Sequence, residues 1–179
     1  MSRSPRAPAL RIRAGDARSE LATLPDASAD VVIRDVFAGD RTPEHVTTLE
    51  FTADVARVLR PGGLYLANCA DRPPLSRARA ETATLAGVFA DVAVIAEPGQ
   101  LRGRRYGNLV LAGTNDPTIL RSADLDRALR SLPAPSRLLR DADVVAFIGS
   151  AQPILDAAPP APAGESSKAA PPRGDAALR

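Results

Sequence analysis

Two carboxylates stand where an α/β protein would place them for chemistry. Asp16 follows Gly15 at the end of a short alternating segment, residues 9–14, in which Leu10 and Ile12 alternate with arginines. Asp35 lies near the end of residues 30–37, a β-branched apolar run. A carboxylate at a strand's carboxyl end opens onto the crevice where open α/β sheets bind ligands. Each has a plainer role available. Asp16 could cap the short helix that starts at Ala17, and Asp35 could pair with Arg34 or Arg41 or cap a loop. Asn68 and Asp71 follow a third apolar run, residues 64–69, and share that strand-end position. His45 is the sole histidine, and no Gly-x-Ser-x-Gly elbow accompanies it, so a serine-hydrolase triad has no basis. Glu44-His45 reads as a loop or cap before a helix. Cys69 is the sole cysteine; it excludes an intramolecular disulfide and a Cys-based zinc site, and reads as a core thiol.

The elements that must hold these residues follow from periodicity. Residues 9–14 read as a strand with one buried face, and residues 17–24 as one or two helical turns stopped by Pro25. The apolar run 30–37 reads as a strand buried on both faces. Thr47 or Thr48 can cap a helix to about Leu59, with Leu49, Phe51, Val55 and Val58 near helical spacing. Pro61-Gly62-Gly63 ends it, and residues 64–69 read as the next strand. A helix over 76–89, a strand over 91–96, a three-glycine loop over 98–107 and a strand over 108–112 complete the pattern. Strands alternating with helices predict an α/β fold with a mostly parallel sheet, and the helix-free loop before the last strand predicts one antiparallel pair at that end. Residues 122–132 predict a short amphipathic helix and 137–150 another short element.

Composition bounds the rest. The chain has 179 residues, enough for one core, and six aromatic residues, so that core must be aliphatic. The basic residues are 22 arginines and Lys168, against 21 acids, and a net charge of +2 does not suggest nucleic-acid binding. No stretch approaches the roughly 20 apolar residues of a membrane helix, no secretory signal opens the chain, and a cytoplasmic location is expected. Residues 1–8 read as a flexible arm, 9–116 as the main domain and 117–150 as a short helical extension. Residues 151–179, rich in Pro and Ala, read as a disordered tail.

Four pieces between Leu10 and Thr114 carry a resemblance: Gly15-Asp16-Ala17-Arg18; Val31 to Asp35; Leu59-Arg60-Pro61-Gly62-Gly63-Leu64; and Pro98-Gly99 with Gly107-Asn108. In order and spacing they resemble the spermidine synthase-like branch of the class I S-adenosylmethionine-dependent methyltransferase fold. The resemblance implies a Rossmann-like sheet and a transferase of polyamine biosynthesis or a methyltransferase. Its co-substrate would be S-adenosylmethionine or the decarboxylated form, with no metal. Asp16 and Ala17 match the positions beside the cofactor adenine. Asp35 matches the carboxylate that binds and deprotonates the attacking amine, which is protonated at neutral pH and must lose a proton to become a nucleophile. Asp40, Asn68, Asp71, Arg102 and Tyr106 become acceptor-side candidates, with a small-molecule acceptor.

The chain also departs from that pattern. The family's second acid, three residues after the first, is Ala38 here, and Asp40 lies two residues beyond that position. The acceptor-side loop carries Arg102, Arg104 and Arg105, which would repel a polycationic acceptor if they faced it. No Gly-x-Gly strand-turn precedes Leu10, so the sheet is expected to be N-terminally incomplete and the 30–37 strand to be an apolar edge. The 9–14 strand could move in to pair with it, a second copy or partner chain could cover it, or the coding sequence could begin further upstream; the last is favoured. The alternative to a transferase is thus a non-catalytic or truncated remnant acting through a partner chain.

Overall fold

The structure is a computed structural model that describes residues 10–39 and 41–158. Its centre is a five-stranded sheet with strand order β1-β2-β4-β3-β5: β1 (Ala29–Arg34), β2 (Leu59–Asp71), β3 (Asp91–Ala96), β4 (Gly107–Thr114) and β5 (Arg137–Leu139). The helices are α1 (Ala17–Ala22), α2 (Leu49–Val58), α3 (Ser76–Ala86), the single turn α4 (Pro98–Leu101), α5 (Ala123–Arg130) and α6 (Ala142–Ile148).

The expectation of a mostly parallel sheet is corrected. Only β1 and β2 pair in parallel; β2 with β4, β4 with β3, and β3 with β5 are all antiparallel. The cause is one insertion. β3 runs in the same direction as β2, as its helical crossover α3 suggests, but β4 returns through the α4 loop and takes the place between them. The antiparallel β3–β4 pair was legible in the short connection. That β4 would also separate β3 from β2 was not.

Residues 10–14 form no strand, and Leu10 and Ile12 are each 86% exposed, so this segment does not pair with β1. Among the described residues β1 lies at the edge of the sheet, and it ends at Arg34 rather than near residue 37. The Pro-Gly-Gly turn ends α2 but leaves the chain extended, so β2 starts at Leu59 and a bulge separates the pairs Ala29–Leu59 and Val31–Leu64. Gly62 sits at φ +78°, a conformation that strains any residue with a Cβ.

One face of the sheet carries the main core, and the other a small cluster of Ala93, Ala112 and Leu120. Phe51, Val55 and Val58 of α2, Ala78 and Leu85 of α3, and Val144 and Phe147 of α6 bury against Tyr65, Ala67, Cys69, Leu109 and Leu111. Thr48 caps α2 by accepting from the Phe51 amide at 3.2 Å. Residues 151–158, expected to belong to the disordered tail, are docked on these helices. Ile154 accepts at its carbonyl from the Leu49 amide at 2.7 Å, and its own amide donates to the Thr84 hydroxyl at 2.9 Å. The flexible arm at 1–8 and the tail from 159 lie outside the described residues. So does Asp40.

The extension after Thr114 is more than helical. It delivers β5 to the sheet edge and α6 to the core face. Arg121 bonds both Asp91 and Asp141, tying this extension to the start of β3. No helix among the described residues is long and apolar enough to cross a membrane.

Candidate functional site

β1 and β2 are in register with Arg34 beside Ala67, so the next position brings Asp35 beside Asn68. The Asn68 amide donates to Asp35 Oδ1 at 2.9 Å. This pair sits at the carboxyl end of the sheet's one parallel pair and is exposed there. Arg34, offered above as a salt-bridge partner of Asp35, turns to the opposite face, because adjacent strand residues alternate. Asp35 is therefore held by a neutral amide and keeps its second oxygen for other partners.

Asp16 is the N-cap of α1, as the plainer reading had it. Oδ1 accepts from the Ser19 amide at 2.9 Å and from the Ser19 hydroxyl at 3.1 Å. Oδ2 lies 2.8 Å from His45 Nε2. The Ser19 amide, then the His45 contact, hold the Asp16 carboxyl at about 2. Its side chain is half-exposed, so the cap does not use up the carboxylate, which can accept further bonds. Ala17 lines a notch of about 270 Å³ between α1 and the open edge of β1, together with Leu21, Val32, Val36 and Phe51.

Asp71 turns inward. It accepts from the amides of Arg72 at 2.8 Å and Ala78 at 2.9 Å, fixing the start of α3. With Tyr106, Arg41, Arg72 and Arg77 it also borders a small cavity of about 200 Å³. Of the loop arginines, Arg105 is bound to the Glu97 carboxylate, while Arg102 and Arg104 are exposed. Neither Arg102 nor Arg104 lines a described cavity. The structure brings Asp35 to Asn68 and Asp71 near Tyr106. It does not gather the acceptor-side candidates around one cavity.

Two contacts went unread in the sequence. One is that of His45, read only as a loop or cap residue: its loop is folded back so that the imidazole meets Asp16, 29 residues earlier. The other is a buried polar group on the core face. Arg34 Nη2 donates to Glu81 Oε2 at 2.5 Å, with both side chains almost fully buried. The Cys69 thiol lies 3.7 Å from Glu81 Oε1, and Arg77 approaches from the rim at 3.8 Å. Burial pushes the Glu81 carboxyl up against the pull of Arg34, pushes the Cys69 thiol up well out of the reactive range, and pushes Tyr65 up to about 12. Cys69 is thus the inert core thiol its position suggested. The only sequence signal for this network was an arginine inside an apolar strand.

No protein-family model matches the chain, and no curated protein does. Among solved structures the chain is similar to one described as a probable spermidine synthase from Corynebacterium glutamicum. Identity is 41% and the TM-score 0.79, over 89% of this chain and 58% of that one. It also matches a structure described as a "putative DNA modification methylase" from Thermus thermophilus complexed with S-adenosyl-L-methionine. There the identity is 21% and the TM-score 0.37, over 66% of this chain and 61% of that one. The chain has a Rossmann-like α/β fold of the class I methyltransferase type. Within that class it has the spermidine synthase-like form. It spans a little over half the length of the spermidine synthase-like structure it matches.

Proposed function

We propose that this chain is a transferase domain of the spermidine synthase-like type, using S-adenosylmethionine or its decarboxylated form to alkylate a small-molecule acceptor. The observation that carries this reading is the Asp35–Asn68 pair at the carboxyl end of β1 and β2, on a fold 41% identical in sequence to a probable spermidine synthase. Bound there, the sulfonium co-substrate supplies an electrophilic carbon and a neutral thioether leaving group. Asp35 takes the proton from the acceptor's ammonium, so that the nitrogen lone pair is free to form the new bond. Asn68, bonded to Oδ1, fixes the carboxylate's orientation while leaving Oδ2 to the acceptor. The residues present suit an adenine at Asp16: a half-exposed, fully ionised carboxylate accepts from an exocyclic amine, and the apolar notch beside Ala17 suits a flat ring.

Ala38 in place of a second acid favours an acceptor with fewer positive charges than a polyamine. A second reading, a partner-dependent or non-catalytic form of the fold, is supported by the exposure of Val31 and Ile33 on β1. Calorimetric titration with S-adenosylmethionine, its decarboxylated form and methylthioadenosine, with Asp16→Ala beside the native chain, separates the two. Binding that the substitution abolishes supports the transferase reading; no binding of any of the three at millimolar ligand leaves the second. Once an acceptor is known, Asp35→Asn should lower kcat at least about 10²-fold with little change in co-substrate affinity.

A further inference from the structure

The contacts that Asp16 already makes leave it little choice about where to accept another. An ionised carboxylate offers about four lone-pair positions, two on each oxygen. Oδ1 takes the Ser19 amide at 2.9 Å and the Ser19 hydroxyl at 3.1 Å. Oδ2 takes His45 Nε2 at 2.8 Å. The position that remains is on Oδ2, beside the imidazole. At neutral pH the Asp16 carboxyl is ionised and only accepts, so His45 Nε2 must carry the hydrogen of their contact.

His45 is not held by Asp16 alone. The next residue, Val46, is fully buried and seats the turn at Glu44–Val46. The His45 carbonyl accepts from Arg18 Nη1 at 3.1 Å. Both Nη atoms of Arg18 are fixed by the Asp156 carboxylate, at 2.7 and 2.6 Å, the two-pronged geometry that gives such pairs their direction. The Asp156 amide donates to the Glu50 carboxylate at 2.9 Å, so that acid sits on a backbone tied to α2. Contacts thus run from Asp156 through Arg18 to the His45 backbone, and from the His45 ring to Asp16. Asp16 and His45 are half-exposed, and a lone exposed pair gains little against side-chain entropy. Supporting contacts are what hold such a group to one geometry.

We propose that His45, held by Arg18 and Asp156, positions Asp16 so that its one remaining acceptor site meets the exocyclic amino group of the co-substrate's adenine. This rests on the transferase reading above, in which adenine lies at Asp16. A purine with oxygen in place of that amino group offers no donor there and sets its own lone pairs against the carboxylate.

Titration of the full chain with methylthioadenosine and with methylthioinosine, which carries oxygen in place of the amino group, tests this. The native chain should prefer the amino compound. His45→Phe and Asp156→Asn should each cut that preference about three- to tenfold, by weakening the amino compound and not the other. Asp156→Glu, which keeps the carboxylate, should restore part of it. His45 is the sole histidine, so its ring nitrogens are read without ambiguity by nitrogen NMR. In mildly alkaline solution the native ring should carry its hydrogen on Nε2, and Asp156→Asn should give a mixture of tautomers. A loss of affinity shared equally by both purines would mean a merely structural role and overturns the proposal. So does a preference, or a ring tautomer, that Asp156→Asn leaves unchanged. A native chain that binds neither purine overturns the transferase reading itself, and this proposal with it. Should His45→Phe fail to fold, the two variants at exposed Asp156 carry the test.

Discussion

The two faces of the sheet are finished to different degrees, and β2 shows it in a single strand. From Gly63 to Cys69 its residues alternate: Tyr65, Ala67 and Cys69 are at most 1% exposed, while Leu64, Leu66 and Asn68 between them stay half-buried. The first set meets α2, α3 and α6. Leu64 and Leu66 of the second set face a cavity of about 970 Å³ bordered also by Val110, Ile119, Leu125 and Leu132, which α5 and the chain after it only partly close. Beyond that cavity the same face runs out to Val31 and Ile33, which nothing described covers. Most of the buried apolar residues therefore lie on the first face, while the second holds only the small cluster of Ala93, Ala112 and Leu120 beside an open cavity. The buried Arg34–Glu81 pair belongs to the first face, and Asp35 with Asn68 to the second, although Arg34 and Asp35 are neighbours in the chain.

The comparison breaks most visibly at Glu81. Glu81→Ala leaves the Arg34 guanidinium buried without its counter-ion, and should cost about 3–5 kcal/mol in urea unfolding. Restoring volume without charge in the double variant Glu81→Leu with Arg34→Met should recover much of that loss, because a well-packed apolar pair can match a buried ion pair. A single variant as stable as the native chain would mean that water already reaches this site.

Next come matched truncations on the two faces. Leu111→Ala empties a fully buried site and should cost about 2–5 kcal/mol, whereas Leu66→Ala enlarges a cavity already open and should cost about 1 kcal/mol. Equal losses in chemical denaturation would show that the second face is packed in solution by a further segment or a partner. Ile33→Thr should change the unfolding free energy of dilute monomer by no more than about 0.5 kcal/mol, since that side chain is mostly in water already.

Much of the covered face was legible in the chain. The 91–96 strand is found as read, the helix over 76–89 is found to Ala86, and the Leu-Arg-Pro-Gly-Gly turn ends α2, because apolar period and turn chemistry are local signals. What was not local was missed. Residues 9–14 alternate as a strand should, yet alternation supplies no neighbour to pair with, and Leu10 and Ile12 are left in water. Direction of pairing depends on where β4 inserts, which no window of residues records. Of the site, Asp35 and Asn68 were each readable as strand ends, and register made them a pair. The Asp16–His45 contact and the Arg34–Glu81 pair each join residues at least 29 positions apart, so neither residue announced its partner. Residues 151–158 looked too poor in large apolar groups to order, but the Ile154 backbone bonds to Leu49 and Thr84, and the Arg18–Asp156 pair, hold them by polar contacts instead.

The smallest effect should appear at the rim of the covered face, in acid. Asp156 is bound by both Nη atoms of Arg18, at 2.7 and 2.6 Å, and this holds its carboxyl at about 2 against an ordinary 3.8. Asp16, capped by Ser19 and joined to His45, is lowered to about the same value. A carboxyl depressed in the folded chain contributes stability that is complete above its unfolded value and is lost as pH falls through its folded value. The window is therefore about pH 4 down to about pH 2, with no change expected between neutrality and pH 5 from these two groups. Both are solvent-exposed, so the loss is local. The 151–158 segment should detach, and α1 should fray, while the sheet stays folded. The Leu49 amide, bonded to the Ile154 carbonyl, reports detachment directly by its chemical shift. Arg18→Gln should produce the detached shift at every pH while leaving the α1 transition in place. A Leu49 shift that moves only together with the amides of β2 would show instead that the segment is an integral part of the covered face, released only when that face unfolds.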